Sequence, residues 1–146
     1  MPRRPIDTPT TEGASSLAGR SARVELLVGE GDTAIALRSG DVPVLATPRL
    51  VALCEEASCN VVAEHLGTGK TTVATRLQFD HLIPVPVGSH VTAEATLERV
   101  EGRRLTFTLS ASLGPADGAG LVGAGRLTRV LVDTDAFLAK AAAVAR

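Results

Sequence analysis

One segment of the chain carries the hydrophobic spacing of a helix. From Thr47 to Leu66, at about 100° per residue, the apolar positions fall on one side. They form a stripe of Leu50, Cys54, Ala57 and Val61. Thr47 suits the N-cap position and Pro48 the first helical position, and Gly67 and Gly69 follow the predicted end. The pattern therefore predicts one long helix with an apolar face.

Two adjacent glutamates occupy different sides of this helix. Glu56 falls opposite the apolar stripe, whereas Glu55 falls on its flank beside Val51 and Val62. We therefore expect Glu56 to be solvated and Glu55 to be half-buried.

The segment after the helix alternates with a period of two, which is typical of a strand. From Thr71 to Asp80, the residues Val73, Leu77 and Phe79 share one side, and His81 continues the same parity. This alternation places the His81 ring on the core side at the end of a strand.

The clearest alternation predicts an antiparallel hairpin. Apolar residues alternate with threonine, serine and glutamate along two runs, 91–98 and 105–112. Between them, Val100–Arg103 fits a hairpin turn. A last strand is expected over Leu121–Val132, and a short alanine-rich helix over Asp133–Ala145, with Asp133 as a cap.

Shorter elements are expected before the long helix. Arg23–Val28 and Thr33–Leu37 have the composition of strands around a turn at Gly29–Asp32. Arg38–Ala46 contains glycine and proline and predicts a loop that lies over the start of the helix.

The order of elements predicts an α+β fold in which a curved antiparallel sheet wraps around one long central helix, with a short C-terminal helix. Residues 1–22 are rich in Pro, Thr, Ser and Gly and predict a flexible leader, with a single domain over 23–146.

Composition narrows the class of partner. The 146 residues are 45% hydrophobic and carry a formal net charge of −1, which does not favour nucleic acid as a partner. No apolar run is long enough to cross a membrane, and the N-terminus lacks the apolar core of a secretory signal, so we expect a cytoplasmic protein. Cys54 and Cys59 point in different directions on one helix, which predicts neither a disulfide nor a metal site.

One motif looks like a nucleotide-binding loop but lacks its requirements. Gly67–Thr72 contains Gly-Lys-Thr, yet Glu64 stands where the motif needs its first glycine. The motif also needs a strand before it and a helix after it, and here this order is reversed.

Three residues form a candidate constellation. Thr47 at the helix start, Glu55 two turns along and His81 at a strand end offer a hydroxyl, a carboxylate and an imidazole. Such a set suits hydrolysis of an activated acyl group, and free N–H groups at the helix start could polarise a carbonyl oxygen. Each residue also has a structural alternative, as a helix cap, a satisfied flank residue and a buried histidine.

Several short motifs resemble one protein family. They are Val44-Leu45-Ala46-Thr47-Pro48, Glu55-Glu56-Ala57, the stretch from Thr72-Val73-Ala74-Thr75 to His81-Leu82, Pro84-Val85-Pro86-Val87-Gly88 and Val100-Glu101-Gly102-Arg103-Arg104-Leu105. Together, over roughly Val24 to Leu138, the chain resembles the fluoroacetyl-CoA thioesterase family of hotdog-fold proteins.

The resemblance implies a fold, an assembly and a set of functional residues. It implies a hotdog fold, in a homodimer or a higher oligomer, with acyl-CoA sites at the subunit interface. It assigns the catalytic roles to Thr47, Glu55 and His81, and it places Ala74 where the family has a glycine beside the acyl group. Coenzyme A would be part of the substrate, with no permanent cofactor and no metal.

Basic residues are candidates for binding the phosphate end of coenzyme A. The exposed candidates are Arg76, Arg103, Arg104 and Arg126. Arg129 shares parity with Leu127 and Leu131, and therefore either joins the substrate site or faces inward and pairs with an acid.

The expected function is hydrolysis of a small acyl-CoA thioester. The family's fluoroacetyl-specific enzyme has aromatic residues in the segment before its threonine, and Arg38–Ala46 has none. We therefore do not expect this chain to share the selectivity for fluoroacetyl-CoA. The alternative is a non-catalytic module that binds acyl-CoA or a small metabolite; a hydratase is less favoured because its Asp-x-x-x-x-His motif is absent.

Overall fold

The computed structural model describes residues 17–114 and 120–145. Five strands form one antiparallel sheet with the spatial order β1-β3-β4-β5-β2. The strands are β1 (Ser21–Leu27), β2 (Lys70–His81), β3 (His90–Glu101), β4 (Arg104–Leu113) and β5 (Leu121–Asp133). The helices are α1 (Ala34–Leu37), α2 (Thr47–Val62), which continues in a 3-10 turn (Ala63–His65), and α3 (Thr134–Val144). The predicted α+β arrangement of one long helix and a single antiparallel sheet is confirmed.

The hairpin of β3 and β4 supplies the centre of the core. Its strands pair from Val91 opposite Leu113 to Glu101 opposite Arg104, so that Gly102 and Arg103 form the turn. Gly102 has a φ of 62°, which glycine adopts without steric cost. The predicted inward-facing residues are all at most 1% exposed: Val91, Ala93, Ala95, Leu97, Leu105, Phe107, Leu109 and Ala111.

The apolar stripe of α2 packs on this sheet. All four predicted stripe residues, from Leu50 to Val61, are buried. Glu55 is half-buried and Glu56 is exposed, which confirms the predicted difference between the two glutamates. Burial raises the pKa of the Cys54 thiol to about 12, helped by the nearby charge of Glu55. Cys54 therefore behaves as a core residue and not as a nucleophile.

The predicted strand at Thr33–Leu37 is wrong. The Thr33 hydroxyl accepts a hydrogen bond from the Ala36 N–H at 3.2 Å and caps α1. The preceding turn is a short 3-10 helix, Glu30–Asp32, closed by the Asp32 carboxylate on the Gly29 N–H at 2.8 Å. Because these side chains accept hydrogen bonds from nearby backbone N–H groups, the segment forms a helical turn and does not pair as a strand.

The predicted continuous alternation of β2 is interrupted by a bulge. Ala74 pairs with Arg129 and Arg76 with Thr128, so Thr75 is an extra residue. Before the bulge Thr72 and Ala74 face the core side, and after it Leu77, Phe79 and His81 do so. Val73 therefore lies on the opposite face from the one predicted, and Thr72 is buried in its place.

The packed region begins earlier than the predicted boundary at residue 23. Leu17 is buried, the Gly19 N–H donates to Leu97 O at 2.7 Å, and β1 begins at Ser21. The rest of the predicted leader, residues 1–16, lies outside the described residues, as do residues 115–119 of the glycine-rich loop.

Candidate active site

The first residue of α2 contacts the last residue of β2. Thr47 Oγ1 lies 2.8 Å from His81 Nδ1. Thr47 is therefore not the N-cap that the sequence predicts: Ala46 occupies that position, with extended backbone and no side-chain cap. The hydroxyl is turned toward the imidazole, while Pro48 lies in the first helical turn as predicted. The structure thus brings together two of the three predicted catalytic residues.

The uncapped helix start has a chemical consequence. Among the described residues, no side chain accepts a hydrogen bond from the first N–H groups of α2. These groups carry the positive end of the helix dipole. An oxygen atom bound next to Thr47 would receive them as donors.

The imidazole of His81 is held in its neutral form. Burial lowers its pKa below the ordinary value of 6.5, and the backbone of Ile83 acts in the opposite direction. Its Nε2 atom is buried and has no hydrogen-bond partner among residues 17–114 and 120–145. A neutral ring with one buried nitrogen unoccupied is suited to taking a proton from a bound molecule.

A pocket of about 360 Å³ opens beside the Thr47–His81 pair. The lid loop, residues 38–46, forms one wall through Ser39, Gly40, Asp41, Val42, Val44 and Leu45. The chain after β2 forms the other wall through Leu82, Ile83 and Pro84. The predicted position of this loop over the helix start is confirmed.

Backbone hydrogen bonds hold the lid loop against its surroundings. The Leu45 N–H donates to Val85 O at 2.8 Å, and the Ala34 N–H donates to Val44 O at 2.9 Å. Arg38 ends α1 in the left-handed region with a φ of 57°, a conformation that turns the chain into the loop. The loop is therefore anchored at both ends, and its middle lines the pocket.

Glu55 belongs to a second polar cluster. Its carboxylate lies 3.5 Å from Arg129 Nη1, and Arg129 also donates to Thr72 Oγ1 and Thr72 O, both at 2.9 Å. The Arg129 side chain is 8% exposed and that of Glu55 is 37% exposed. Ala74 is the β2 partner of Arg129. Arg129 faces inward and pairs with an acid, as one of its two alternatives predicts. Neither Glu55 nor Arg129 lines the Thr47–His81 pocket of its own chain.

The four predicted substrate-binding residues lie on opposite faces of the sheet. Ala74 and Arg129 are on the helix side, whereas Arg76 and Arg126 are on the outer side. Arg126 donates to Glu98 at 3.2 Å. These four side chains therefore cannot line one pocket within a single chain.

Some residues near the site were missed by sequence reasoning. Unbroken alternation places Thr72 on the face opposite Val73, Leu77 and Phe79, and a bulge cannot be read from alternation alone. Gly123 and Gly125 on β5 make room for Phe79: a Cβ on Gly123 would lie 2.6 Å from its ring, and one on Gly125 would collide with Gln78 O. Alternating glycines in a predicted strand were the available signal for such a close approach.

Residues 17–114 and 120–145 contain no group of three or more His, Cys, Asp or Glu side chains placed to hold a metal ion. Within the same ranges, no helix has the length and apolar character needed to span a membrane.

Similar structures define the class of protein. The chain superimposes on the fluoroacetyl-CoA thioesterase FlK with a TM-score of 0.77 and 29% identity, over 85% of this chain and 93% of that chain. It superimposes on a thioesterase superfamily member from Thermus thermophilus with a TM-score of 0.78 and 26% identity, over 87% and 91%. The fold is therefore the hotdog fold of the thioesterase superfamily.

Sequence comparison gives the family. The profile of the family described as fluoroacetyl-CoA-specific thioesterase matches residues 28–135. The fluoroacetyl-CoA thioesterase of Streptantibioticus cattleyicolor is 35% identical over 97 residues, which are 66% of this chain and 67% of that protein. The chain belongs to the fluoroacetyl-CoA-specific thioesterase (FlK) family.

Proposed function

We propose that this protein hydrolyses the thioester bond of a small acyl-CoA. The observation that supports this function is the 2.8 Å contact between Thr47 and His81 at the mouth of a pocket. Solved structures of FlK variants include complexes with fluoroacetate and CoA and with acetyl-CoA. The same class of ligand suits a pocket of about 360 Å³ in this chain.

In the proposed mechanism, the thioester carbonyl oxygen lies at the start of α2. The free N–H groups there stabilise the negative charge that develops on this oxygen. Water adds to the carbonyl carbon, and the carbon–sulfur bond then breaks with its electron pair going to sulfur. The products are a carboxylic acid and the thiol of coenzyme A.

His81 moves the proton in this mechanism. With Nδ1 donating to the Thr47 hydroxyl, the unoccupied Nε2 accepts a proton from the attacking water and returns it to the leaving sulfur. Thr47 then orients the imidazole and is not itself the nucleophile. An acyl group found on Thr47 by mass spectrometry of quenched reactions would contradict this assignment.

Glu55 acts, in this proposal, at a site shared between two copies of the chain. β2 is an edge strand of 12 residues, and its far edge has no neighbour in the described sheet. An antiparallel pairing of two β2 strands centred on Gln78, with the bulge at Thr75 in each strand, would place Ala74 opposite the partner's His81. Glu55 and Arg129, which lie beside Ala74, would then complete the pocket of the other subunit.

The acyl group is proposed to be short and without fluorine selectivity. The lid loop has no aromatic side chain, and its pocket-lining residues are small, apart from Val42, Val44 and Leu45. Ala74 replaces the glycine that the family resemblance places there, which narrows the space beside Glu55. Both features distinguish this pocket from the one that the family resemblance implies.

The test is release of free thiol from a panel of short acyl-CoA thioesters. We expect turnover of at least one, and a fall in kcat/KM of about 10²- to 10⁴-fold for His81→Ala and for Glu55→Gln. The matched controls are His90→Ala and Glu56→Gln, because both residues are exposed and outside the pocket. Unchanged turnover in both site variants would overturn the proposal.

A mixing experiment tests the shared site. We expect His81→Ala and Glu55→Gln proteins each to have strongly reduced activity, but subunit exchange would form heterodimers in which one of the two sites keeps both residues. We expect partial recovery of activity after mixing. No recovery, with exchange verified by differently tagged subunits, would place Glu55 outside the partner's site.

The competing function is binding without hydrolysis, which the absence of lid aromatics favours. In that case acyl-CoA thioesters would raise the Tm of the protein, and no thiol would be released from any member of the panel.

A further inference from the structure

The outer face of the sheet, opposite α2, contains a polar trough of about 240 Å³. Thr106 and Thr128 pair with each other across β4 and β5 and form its floor. Four arginines surround them: Arg76, Arg99, Arg104 and Arg126. We call this concavity the arginine trough.

Two bulges turn arginines into the trough. On β2, Thr72 and Ala74 face the core, and unbroken alternation would send Arg76 the same way; the bulge at Thr75 reverses it. On β3, Leu97 faces the core, and the register shift between Leu97 and Arg99 likewise sends Arg99 outward.

The two bulges are in register with each other. Arg99 pairs with Thr106, Thr106 with Thr128, and Thr128 with Arg76, so these four residues form one row across four strands. A bulge changes the face of the sheet on which the following side chains lie. The convergence of both arginines on one threonine floor therefore depends on two separate irregularities.

The positive charge of the trough is only half compensated. Arg99 pairs with Glu101 at 3.0 Å, and Arg126 pairs with Glu98 at 3.2 Å. Within residues 17–114 and 120–145, the side chains of Arg76 and Arg104 form no ion pair and no hydrogen bond. Two uncompensated guanidinium groups thus share one concavity, in a protein whose formal net charge is −1.

The chemistry of the trough is that of an oxyanion site. Guanidinium groups bind phosphate through paired N–H donors, and a threonine hydroxyl adds a further donor. Thr106 is only 7% exposed although it lies on the outer face, so a ligand on the floor would be surrounded by arginine side chains. The volume fits a phosphate or diphosphate group and not a whole nucleotide.

We propose that the arginine trough binds the phosphate or diphosphate group of an organic ligand. The trough and the Thr47–His81 pocket share no lining residue, and the proposal does not rest on the proposed hydrolysis. The phosphate groups could belong to the coenzyme A moiety of a substrate or to a separate phosphorylated molecule. The chemistry of recognition is the same in both cases.

The first experiment measures binding of inorganic pyrophosphate to the full chain by calorimetry, at low and at physiological ionic strength. We expect saturable binding that weakens with salt. Arg76→Gln and Arg104→Gln should each raise Kd about tenfold, as loss of a charged hydrogen bond predicts. Arg103→Gln is the matched control, because Arg103 is the exposed neighbour of Arg104 and does not line the trough.

Three results would overturn the proposal: absence of saturable binding, equal weakening by Arg103→Gln, or loss of binding in His81→Ala. The last would place the anion in the other pocket. Thermal unfolding of each variant shows whether the fold is retained, and exposed arginine substitutions should shift Tm little.

A second experiment identifies the source of the phosphate. KM is compared for an acyl-CoA and for the matching acyl-pantetheine, which lacks the nucleotide, in wild type and in Arg104→Gln. An increase in KM for the acyl-CoA alone identifies the substrate's phosphates as the occupant. An unchanged KM, with pyrophosphate binding still dependent on Arg104, identifies a phosphorylated ligand other than coenzyme A.

Discussion

Two polar pairs each include one residue of α2, two helical turns apart, and the pairs differ in charge, contact distance and burial. Thr47 and His81 form a neutral pair joined by one short contact of 2.8 Å beside a pocket lined mainly by apolar groups. Glu55 and Arg129 form a charged pair at 3.5 Å, in which the arginine is nearly buried and the acid is half-exposed.

Because of this difference, the two pairs are suited to different chemical roles. A neutral imidazole with an unoccupied nitrogen can exchange protons near neutral pH. A carboxylate that contacts a buried guanidinium is held in position, because the Arg129 side chain is itself held by Thr72. The first pair is built for proton transfer, and the second for holding a charge in place.

The sharpest test of the first pair is removal of the hydroxyl. Thr47→Val keeps the shape of the side chain but cannot hydrogen-bond His81, and we expect kcat to fall about ten- to a hundredfold. Thr47→Ser retains the hydroxyl and should lose much less. Steady-state kinetics on the best substrate of the panel measures both variants, and wild-type turnover in Thr47→Val would contradict a role for the hydroxyl.

The second pair should affect stability as well as turnover. Arg129→Met removes a buried donor set and leaves Thr72 O without its partner, so we expect a loss of about 1–3 kcal/mol in the free energy of unfolding. The half-exposed Glu55 carboxylate can be hydrated, which keeps the loss below that of a fully buried pair. Urea denaturation measures it, with Arg103→Gln as an exposed arginine control that should change little.

An unchanged free energy of unfolding in Arg129→Met would contradict this expectation. It would mean that water replaces the guanidinium as the hydrogen-bond partner of Glu55 and Thr72 without loss of stability. Arg129 would then be dispensable as a positioning residue.

The comparison also shows which contacts local sequence patterns can predict. The β3–β4 hairpin and the stripe of α2 follow from periods of 2 and 3.6 residues, and the inequality of Glu55 and Glu56 follows from the same helical geometry. These features depend only on residues close in sequence. Neither period predicts the contact between Thr47 and His81, because 34 residues of chain separate them. The two residues are grouped by their chemistry at the ends of two predicted elements, and the family resemblance assigns both to the same site.

The predictions are wrong where strand pairing or local side-chain hydrogen bonds, and not the period of hydrophobic residues, determine the local structure. The bulge at Thr75 exists because β2 pairs with β5, and it reverses the side on which Val73 lies. Thr33 caps a helical turn in a segment whose composition favours a strand. Thr47 likewise has the residue type of a cap, but its hydroxyl is engaged by a histidine that no local rule could place there.

The pH dependence of turnover should follow the proton-transferring pair alone. Burial lowers the pKa of His81 below 6.5, so the ring stays neutral until the pH falls through that lowered value. We expect the acid limb of kcat/KM to have its midpoint below pH 6.5 and to keep that midpoint in Glu56→Gln. A midpoint at or above pH 6.5 would show that another group controls the limb.

The smallest effect is expected at the contact that fixes the start of α2. The Asp32 carboxylate accepts from the Gly29 N–H at 2.8 Å and from Arg49 Nε at 2.9 Å, and these contacts hold its pKa below 3.8. A lowered carboxylate pKa stabilises the fold above pH 3.8, and this contribution disappears as the pH falls through the lowered value. Asp32→Asn should therefore cost about 0.5–1 kcal/mol at neutral pH, since the pair is partly exposed.

The difference between Asp32→Asn and wild type should vanish as the pH falls through the lowered pKa of Asp32 and the carboxylate becomes protonated. Thermal unfolding across this range measures it. A different result would be a loss of turnover in Asp32→Asn as strong as that in Thr47→Val. The contact between Asp32 and Arg49 would then determine the position of Thr47 relative to His81. In that case the proton-transferring pair would depend on a charged contact.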